Sequence, residues 1–234
     1  TVYTGMSAAL QLGAHRATEH GLERVAGHHG YPGATLRIEV DRFEAYMSSL
    51  KARLSKELAK QSHYAPKAKD THTPIWNLSA ITAEDLADEV RLSRKLQLHA
   101  LHENTRVTAV VTQIDSVAKN VEIDLGTQQV TIPLKKLRWA RRFSPTAGTR
   151  PPRDPSDILQ RGDLVAVDIR SVKPGAEGES PKVTVELVPT PRAEGSLVSI
   201  DPHSRLVRAI VGGYARTPGG FNRATQALRQ PGSA

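Results

Sequence analysis

The first sixty residues space their hydrophobic positions as amphipathic helices do. Between residues 6 and 26 apolar side chains recur every three or four positions, and the glycines and proline of residues 27–33 then interrupt the pattern. A second run with the same period covers residues 40–60. We therefore predict two helices. The second one would bury Phe43, Met47, Leu50, Leu54 and Leu58.

From about Thr105 onward, hydrophobic and polar positions alternate, as they do in half-buried strands. Turn-forming residues separate the β-branched runs from one another. Five short strands in fewer than a hundred residues favour a small closed or nearly closed barrel, and an oligonucleotide/oligosaccharide-binding (OB) type barrel is the natural expectation. The five predicted strands are residues 105–115, 120–124, 128–134, 163–172 and 181–188.

The remaining segments predict smaller elements. Residues 61–74 are polar and irregular, as in a linker, and Thr82 with Asp85 three positions later is typical of a helix start. Residues 195–202 and 205–213 form two strands of a hairpin around a turn, followed by a polar tail. Alone, this hairpin would leave an unpaired edge and an apolar face. Dimer contacts or the helix at 6–26 could cover them.

The composition narrows the classes of partner and chemistry. Lys and Arg number 32 against 24 Asp and Glu, so the net charge is +8 and the pI is about 9.9. This charge makes anionic partners worth testing but identifies none of them. The absence of cysteine excludes disulfides, thiol catalysis and cysteine zinc sites. No apolar run approaches the roughly 20 residues of a membrane span.

One stretch of the chain concentrates positive charge. Two readings of it stay open: a surface that tracks a polyanion while its rings stack on bases, or a solvated loop whose Trp packs into the core. The second is favoured, because aromatic residues make up only 4% of the chain. The basic residues are Lys135, Lys136, Arg138, Arg141, Arg142, Arg150 and Arg153, interleaved with Trp139 and Phe143.

The nine histidines do not form a recognisable metal motif. His28 and His29 are adjacent, so their side chains do not face one ion together, while His99 and His102 lack an evident third ligand. We predict no metal and no cofactor.

Two long segments resemble a known family. "GSLVSIDPHSRLVRAIVGGY" (195–214) and "FNRATQALRQPGS" (221–233) are similar to the start of the transpeptidase domain of class A, bifunctional penicillin-binding proteins. The N-terminal "TVYTGMSAALQLGAHRATEHGL" (1–22) resembles the segment that leads into that domain, although Gly5-Met6 departs from the usual Ile-Asp. The stretch "IPLKKLRWARRF" (132–143) is similar to the OB-like insert of Gram-negative members.

The resemblance implies an α+β architecture. A five-stranded OB-like β-barrel would be inserted between two partial pieces of a transpeptidase domain of the penicillin-binding and β-lactamase type. The pieces would be residues 1–75 and 192–234, with the OB-like domain at 76–191.

The resemblance also implies a catalytic residue. In this family the nucleophile is the Ser of S-x-x-K, which corresponds to Ser233, and the Lys would fall two residues past Ala234. A Lys three positions after a Ser at a helix start lies on the same face and serves as its base. The chain by itself is therefore expected to be inactive.

For the parent protein, the resemblance implies a multifunctional peptidoglycan synthase in cell-wall synthesis, relevant to cell shape and antibiotic resistance. A membrane anchor would hold it on the periplasmic side of the inner membrane, where it would use lipid II and stem peptides and react with β-lactams. Its OB-like domain would dock a regulator such as an outer-membrane lipoprotein. The partner surface we predict consists of Lys135, Lys136, Arg138, Trp139, Arg141 and Arg142.

An alternative hypothesis stands beside this one. The chain could be a free-standing OB-type module that binds single-stranded nucleic acid or another polyanion through Trp139, Phe143 and the basic stretch. Nucleic acid is the less favoured partner, since single-strand binders usually offer several stacking rings.

Overall fold

The chain forms two compact units in a computed structural model. The sheet unit is Gly30–Pro189, and the hairpin unit combines Thr1–His29 with Thr190–Ala234. The predicted boundary at residue 75 stays a prediction about the parent's domains; as a compact unit, residues 30–75 belong with the sheet. The structure describes residues 4–34, 36–64, 74–88, 94, 96–144, 150–175, 180–214 and 220–228.

An antiparallel sheet of six strands is the centre of the sheet unit. The strand order is β1-β7-β4-β5-β6, and β8 also pairs with β7. All five strands predicted from the alternating pattern are present, as β4 to β8, within a few residues of the predicted bounds. The strands are β1 Leu36–Arg37, β4 Arg106–Asp115, β5 Asn120–Asp124, β6 Gln129–Pro133, β7 Asp163–Lys173 and β8 Lys182–Leu187; β2 Pro74–Asn77 and β3 Gln97–Ala100 form a separate pair.

Of the two expected forms, a closed or a nearly closed barrel, the closed one is not formed. Irregularities in register after Val111 and after Ile169 curl the sheet, so that β6 and β8 lie against each other. Among the described strands, however, no ladder joins β6 to β8. β6 has only five residues, all paired with β5, and a short helix follows it at once. The curled sheet is therefore OB-like but open along this seam.

The sheet separates two hydrophobic cores. Inside the curl, alternate residues of β4 (Val107, Ala109 and Val111) pack with those of β5 and β7. On the outer face, Val110 and Leu164 meet the helix α2. Because side chains of a strand alternate between faces, one strand contributes to both cores.

The helix α2 confirms the second predicted helix. It runs from Phe43 to Tyr64, after one 3₁₀ turn at Val40–Arg42, and so extends four residues into the predicted linker. The predicted apolar positions 43, 47, 50 and 54 are buried, and Leu58 packs at the edge of the same core. Residues 65–73 of the predicted linker lie outside the described residues.

Thr82 begins a short helix, as predicted. The helix is a 3₁₀ segment, Ala83–Ala87, and the Thr82 backbone N–H donates to the Asp85 carboxylate at 2.9 Å. This reciprocal arrangement is a capping box. It satisfies backbone donors that would otherwise lack a partner at the start of the helix.

The hairpin unit consists of one long helix against a two-stranded ribbon. The helix α1 spans Ala8–His29, three residues longer at its end than predicted, and β9 (Leu197–Ile200) pairs with β10 (Val207–Val211). The Gln11 carboxamide donates to the Ile210 carbonyl at 2.7 Å and accepts from its N–H at 2.9 Å. The helix thus covers the hairpin edge, one of the two solutions expected.

Candidate basic interface

The basic stretch of the sequence begins with a short helix that directly follows β6. The helix α3 is a single turn, Leu134–Leu137, and the Leu134 N–H donates to the Lys119 carbonyl at 2.8 Å. Leu137 and Ala140 are fully buried and anchor the stretch in the inner core. Lys135 lies two residues before Leu137 and Arg138 directly after it, and both are exposed. The spacing therefore sends apolar side chains inward and basic side chains outward.

Trp139 is part of the module's own packing. Its ring lies edge-on to that of Tyr31, with the ring centroids 6.1 Å apart and the planes at 89°. It is half-buried against the inner core. This geometry favours the interpretation of Trp139 as a core residue over that of a base-stacking platform.

The backbone also fastens Tyr31 to this stretch, in an arrangement that we call the Tyr31 clasp. The Tyr31 N–H donates to the Arg141 carbonyl at 2.8 Å, and Tyr31 forms an isolated parallel bridge with Arg142. Gly30 has φ of 92°, and a Cβ there would lie 2.4 Å from the Arg141 carbonyl oxygen. Only glycine allows the two backbones to approach this closely.

Tyr31 is 4% exposed, and its environment disfavours the phenolate. Burial, and secondarily the nearby negative charge of Asp163, raise the pKa of Tyr31 well above its usual range. The side chain of Tyr31 is therefore in its neutral, protonated form.

Next to the clasp, the basic stretch forms one side of an open cleft of about 490 Å³. Two segments line the cleft, and we call them its two walls: residues 134–138, with Lys135 and Arg138, and residues 150–153, with Arg150 and Arg153. We call this feature the basic cleft. Its lining residues are Leu134, Lys135, Arg138, Arg150, Pro151, Pro152 and Arg153.

The structure thus divides the predicted partner surface. Lys135 and Arg138 line the cleft, whereas Trp139, Arg141 and Arg142 belong to the clasp or adjoin it, and Lys136 is half-buried outside the cleft lining. Arg150 and Arg153 of the second wall belong to the charged run of the sequence but were not part of the predicted partner surface. The acid-free run was the only signal that could have found them.

The second wall ends in a network that fixes its position. Lys119 Nζ lies 2.6 Å from Asp154 Oδ2, and the Ser116 hydroxyl donates to Asp154 Oδ1 at 2.8 Å. The hydrogen bond from Lys119, followed by those from Ser156, holds the pKa of Asp154 far below its usual range. Asp157 accepts from the Asp154 N–H at 2.9 Å, which completes the capping box of a 3₁₀ turn, and also from the Arg153 N–H at 2.8 Å. The carboxylates of Asp154 and Asp157 thus make these hydrogen bonds within the network and not with the cations of the cleft.

The cations of the cleft have no acidic partner within the described part of the chain. None of the described ion pairs includes Lys135, Arg138, Arg150 or Arg153, while many other Lys and Arg side chains of the sheet unit are paired. Four positive charges therefore line one concavity, and no acidic side chain of the described residues pairs with them. Such a site raises the local concentration of anions.

The other candidate residues do not form a second site within the described part of the chain. Ser233, the nucleophile predicted from the resemblance, lies outside the described residues. Upstream of it, Asn222 caps the short helix α4 (Arg223–Gln226) by accepting from the Ala224 N–H at 3.0 Å. Within the described ranges, no three His, Asp or Glu side chains come together as metal ligands would.

Comparison with known families identifies the sheet unit. Residues 76–192 match the family model described as "Penicillin-binding protein OB-like domain", which is half of the chain. This chain belongs to the penicillin-binding protein OB-like domain family. The predicted resemblance to class A penicillin-binding proteins is thereby confirmed.

Curated relatives agree with this membership. Penicillin-binding protein 1A of Pseudomonas aeruginosa is 33% identical over 127 residues, which cover 54% of this chain and 14% of the relative. Penicillin-binding protein 1A of Escherichia coli strain K12 is 39% identical over 105 residues, or 44% of this chain and 11% of the relative. The corresponding protein of Neisseria flavescens is 35% identical over 128 residues, or 54% and 14%. The matched region is thus about a seventh or less of each relative.

The penicillin-binding protein OB-like domain of this chain carries the cations of the cleft on segments that are attached to the sheet. α3 follows directly from a sheet strand, and the opposite wall is tied to the β4–β5 turn through Lys119. Across the described helices, none has the length and apolar character needed to cross a bilayer.

Proposed function

We propose that this chain is a segment of a class A peptidoglycan synthase, and that its sheet unit is an accessory docking module. The observation that carries this proposal is the family match over residues 76–192, with relatives named penicillin-binding protein 1A. The parent would polymerise glycan strands from lipid II and cross-link stem peptides through an acyl-serine. It would act on the periplasmic side of the inner membrane, held there by an N-terminal anchor.

In this proposal the catalytic residue of the chain is Ser233. A serine hydroxyl needs a neighbouring base to become nucleophilic, and an acyl-enzyme then forms with the stem peptide or with a β-lactam. The proposed organisation is a transpeptidase part at 1–75, the OB-like domain at 76–191 and the continuing transpeptidase part at 192–234.

The docking role is supported by the distribution of charge. A binding surface commonly presents charged groups that pair with opposite charges of the partner. The basic cleft presents four cations that have no acidic partner among the described residues. Trp139, in contrast, contacts Tyr31 and offers little ring surface for nucleic acid bases. The geometry therefore favours a regulatory partner protein over single-stranded nucleic acid.

Labelling of the full-length parent with a fluorescent penicillin tests the catalytic part of the proposal. We expect the unmodified parent to be labelled covalently and Ser233→Ala to lose the label, because the acyl bond forms on the missing hydroxyl. Ser196→Ala serves as the matched control, since Ser196 is an exposed serine just before β9. Label that persists in Ser233→Ala but not in a heat-denatured sample would contradict the assignment.

A further inference from the structure

The basic cleft has a regular arrangement of cations. Lys135 and Arg138 are three residues apart on α3 and its C-cap, so their side chains lie on one face about 5–6 Å apart at Cβ. The second wall carries Arg150 and Arg153, which are also three residues apart in the sequence but lie on a non-helical segment. Each wall thus offers two positive charges, and a ligand between the walls meets both pairs.

The Cβ spacing of Lys135 and Arg138 matches an extended peptide. Side chains of an extended chain alternate between two sides, and residues two apart on the same side are about 6.6 Å apart. Four consecutive acidic residues would therefore send two carboxylates to each wall. Guanidinium groups bind carboxylates through paired N–H donors, and three of the four cations are arginines.

The lining favours a peptide over the other anionic partners. Leu134, Pro151 and Pro152 give the cleft apolar surface, which a peptide's backbone and side-chain stems can cover. The described residues that line the cleft include no aromatic side chain, so bases would lack stacking partners there. The cations line a concavity, which the flat surface of a bilayer does not enter.

We propose that the basic cleft binds an acidic, extended segment of a partner protein, with consecutive carboxylates alternating between the α3 wall and the Arg150–Arg153 wall. This inference rests on the proposed docking function, because it specifies the chemistry of the partner. It adds Arg150 and Arg153 to the binding surface and removes Arg141 and Arg142 from it.

Fluorescence anisotropy with the whole chain and a labelled peptide tests the proposal. The probe is a hexapeptide with four consecutive glutamates between glycines, and its control carries four glutamines instead. We expect saturable binding of the glutamate peptide that weakens steeply as the ionic strength rises, and no binding of the glutamine peptide. A third peptide, with glutamate and glutamine alternating, supplies carboxylates to one wall alone and should bind more weakly than the first.

Two double variants separate the cleft from general charge. Arg138→Glu with Arg150→Glu places one reversed charge on each wall and should weaken peptide binding by more than about tenfold. Lys173→Glu with Lys182→Glu lowers the net charge equally, at the exposed end of the β7–β8 pair, and should change the affinity by less than about twofold. Circular dichroism and thermal unfolding of each variant verify the fold.

Other outcomes overturn the proposal in distinct ways. Equal losses in the two double variants would assign the binding to net charge. Tighter binding of an oligothymidylate, or of phosphatidylglycerol vesicles, that is lost in the cleft variant would assign the cleft to nucleic acid or to lipid. If the parent is labelled by penicillin through Ser233 while the glutamate peptide fails to bind, the synthase assignment stands and the acidic-segment proposal is wrong.

Discussion

A buried ion pair joins α2 to the sheet and provides a quantitative test of the fold. Asp124, whose side chain is 2% exposed, accepts from Lys51 Nζ at 2.6 Å and from the Gly126 N–H at 2.6 Å. Lys51 also donates to the Gly126 carbonyl at 2.6 Å, and its ammonium lies 4.9 Å from the centroid of the Trp76 ring. The substitution Lys51→Met removes the charge and keeps most of the aliphatic stem.

The expected cost follows from the burial of the partner that remains. Removing one member of a buried pair costs about 3–5 kcal/mol, because the other charge is left in the interior without compensation. Lys51 is 42% exposed, so water reaches its end of the pair and reduces the loss. We therefore expect Lys51→Met to lower the free energy of unfolding by about 2–3 kcal/mol. For a unit of this size, the melting temperature should fall by roughly 5–10 °C.

Denaturant unfolding measures this loss. Trp76 is fully buried and reports by fluorescence, and circular dichroism should accompany it because Lys51 lies over that ring. Lys56→Met, at an exposed position of the same helix, is the control and should change stability by less than about 0.5 kcal/mol. Adding Asp124→Asn to Lys51→Met should recover about 1 kcal/mol, since no buried charge then remains. A double variant that is no more stable than Lys51→Met would refute the reasoning.

Two further predictions concern the cleft and the clasp. The hydrogen bond from Lys119 lowers the pKa of Asp154, so the stabilisation is complete above the ordinary aspartate pKa of about 3.9 and is lost as pH falls below it. Asp154→Asn should therefore flatten the decline of the denaturation midpoint between about pH 5 and pH 2, and equal slopes in both proteins would rule this out. Gly30→Ala should cost clearly more stability than Gly33→Ala, because both glycines have positive φ but only a Cβ at Gly30 would collide with the Arg141 carbonyl. Equal costs in thermal unfolding would show that the clasp does not constrain Gly30.

The elements that the sequence predicts well are those with a sustained period. The helix α2 buries every third or fourth residue, and strands β4 to β8 bury roughly every second one. The order of apolar and polar residues in the sequence therefore already indicates the type of each element. Whether the barrel is closed or only nearly closed was left open by the sequence, because closure depends on whether β6 and β8 meet in register, which neither strand encodes alone. The β2–β3 pair was missed, since each strand has only four residues.

The candidate site shows the same division between local and long-range information. The charge run from Lys135 to Arg153 is visible in the sequence, and so is the scarcity of rings. Which of its cations share a concavity depends on the return of the chain to the β4–β5 turn, where Lys119 fixes Asp154. That contact joins residues 35 positions apart and leaves no local pattern.

The separation of cleft from clasp decides which substitutions can report on binding. Arg141 and Arg142 contribute backbone groups to the contacts with Tyr31, and both residues have further interactions. Substitutions there would alter the packing of a buried ring together with the surface charge, so a loss of binding would have two causes. Arg138 and Arg150 are exposed, line the cleft and have no ion pair among the described residues. A loss of acidic-peptide binding on reversing these two charges, with the melting temperature retained, therefore has one physical cause: the electrostatic attraction between the walls and the ligand.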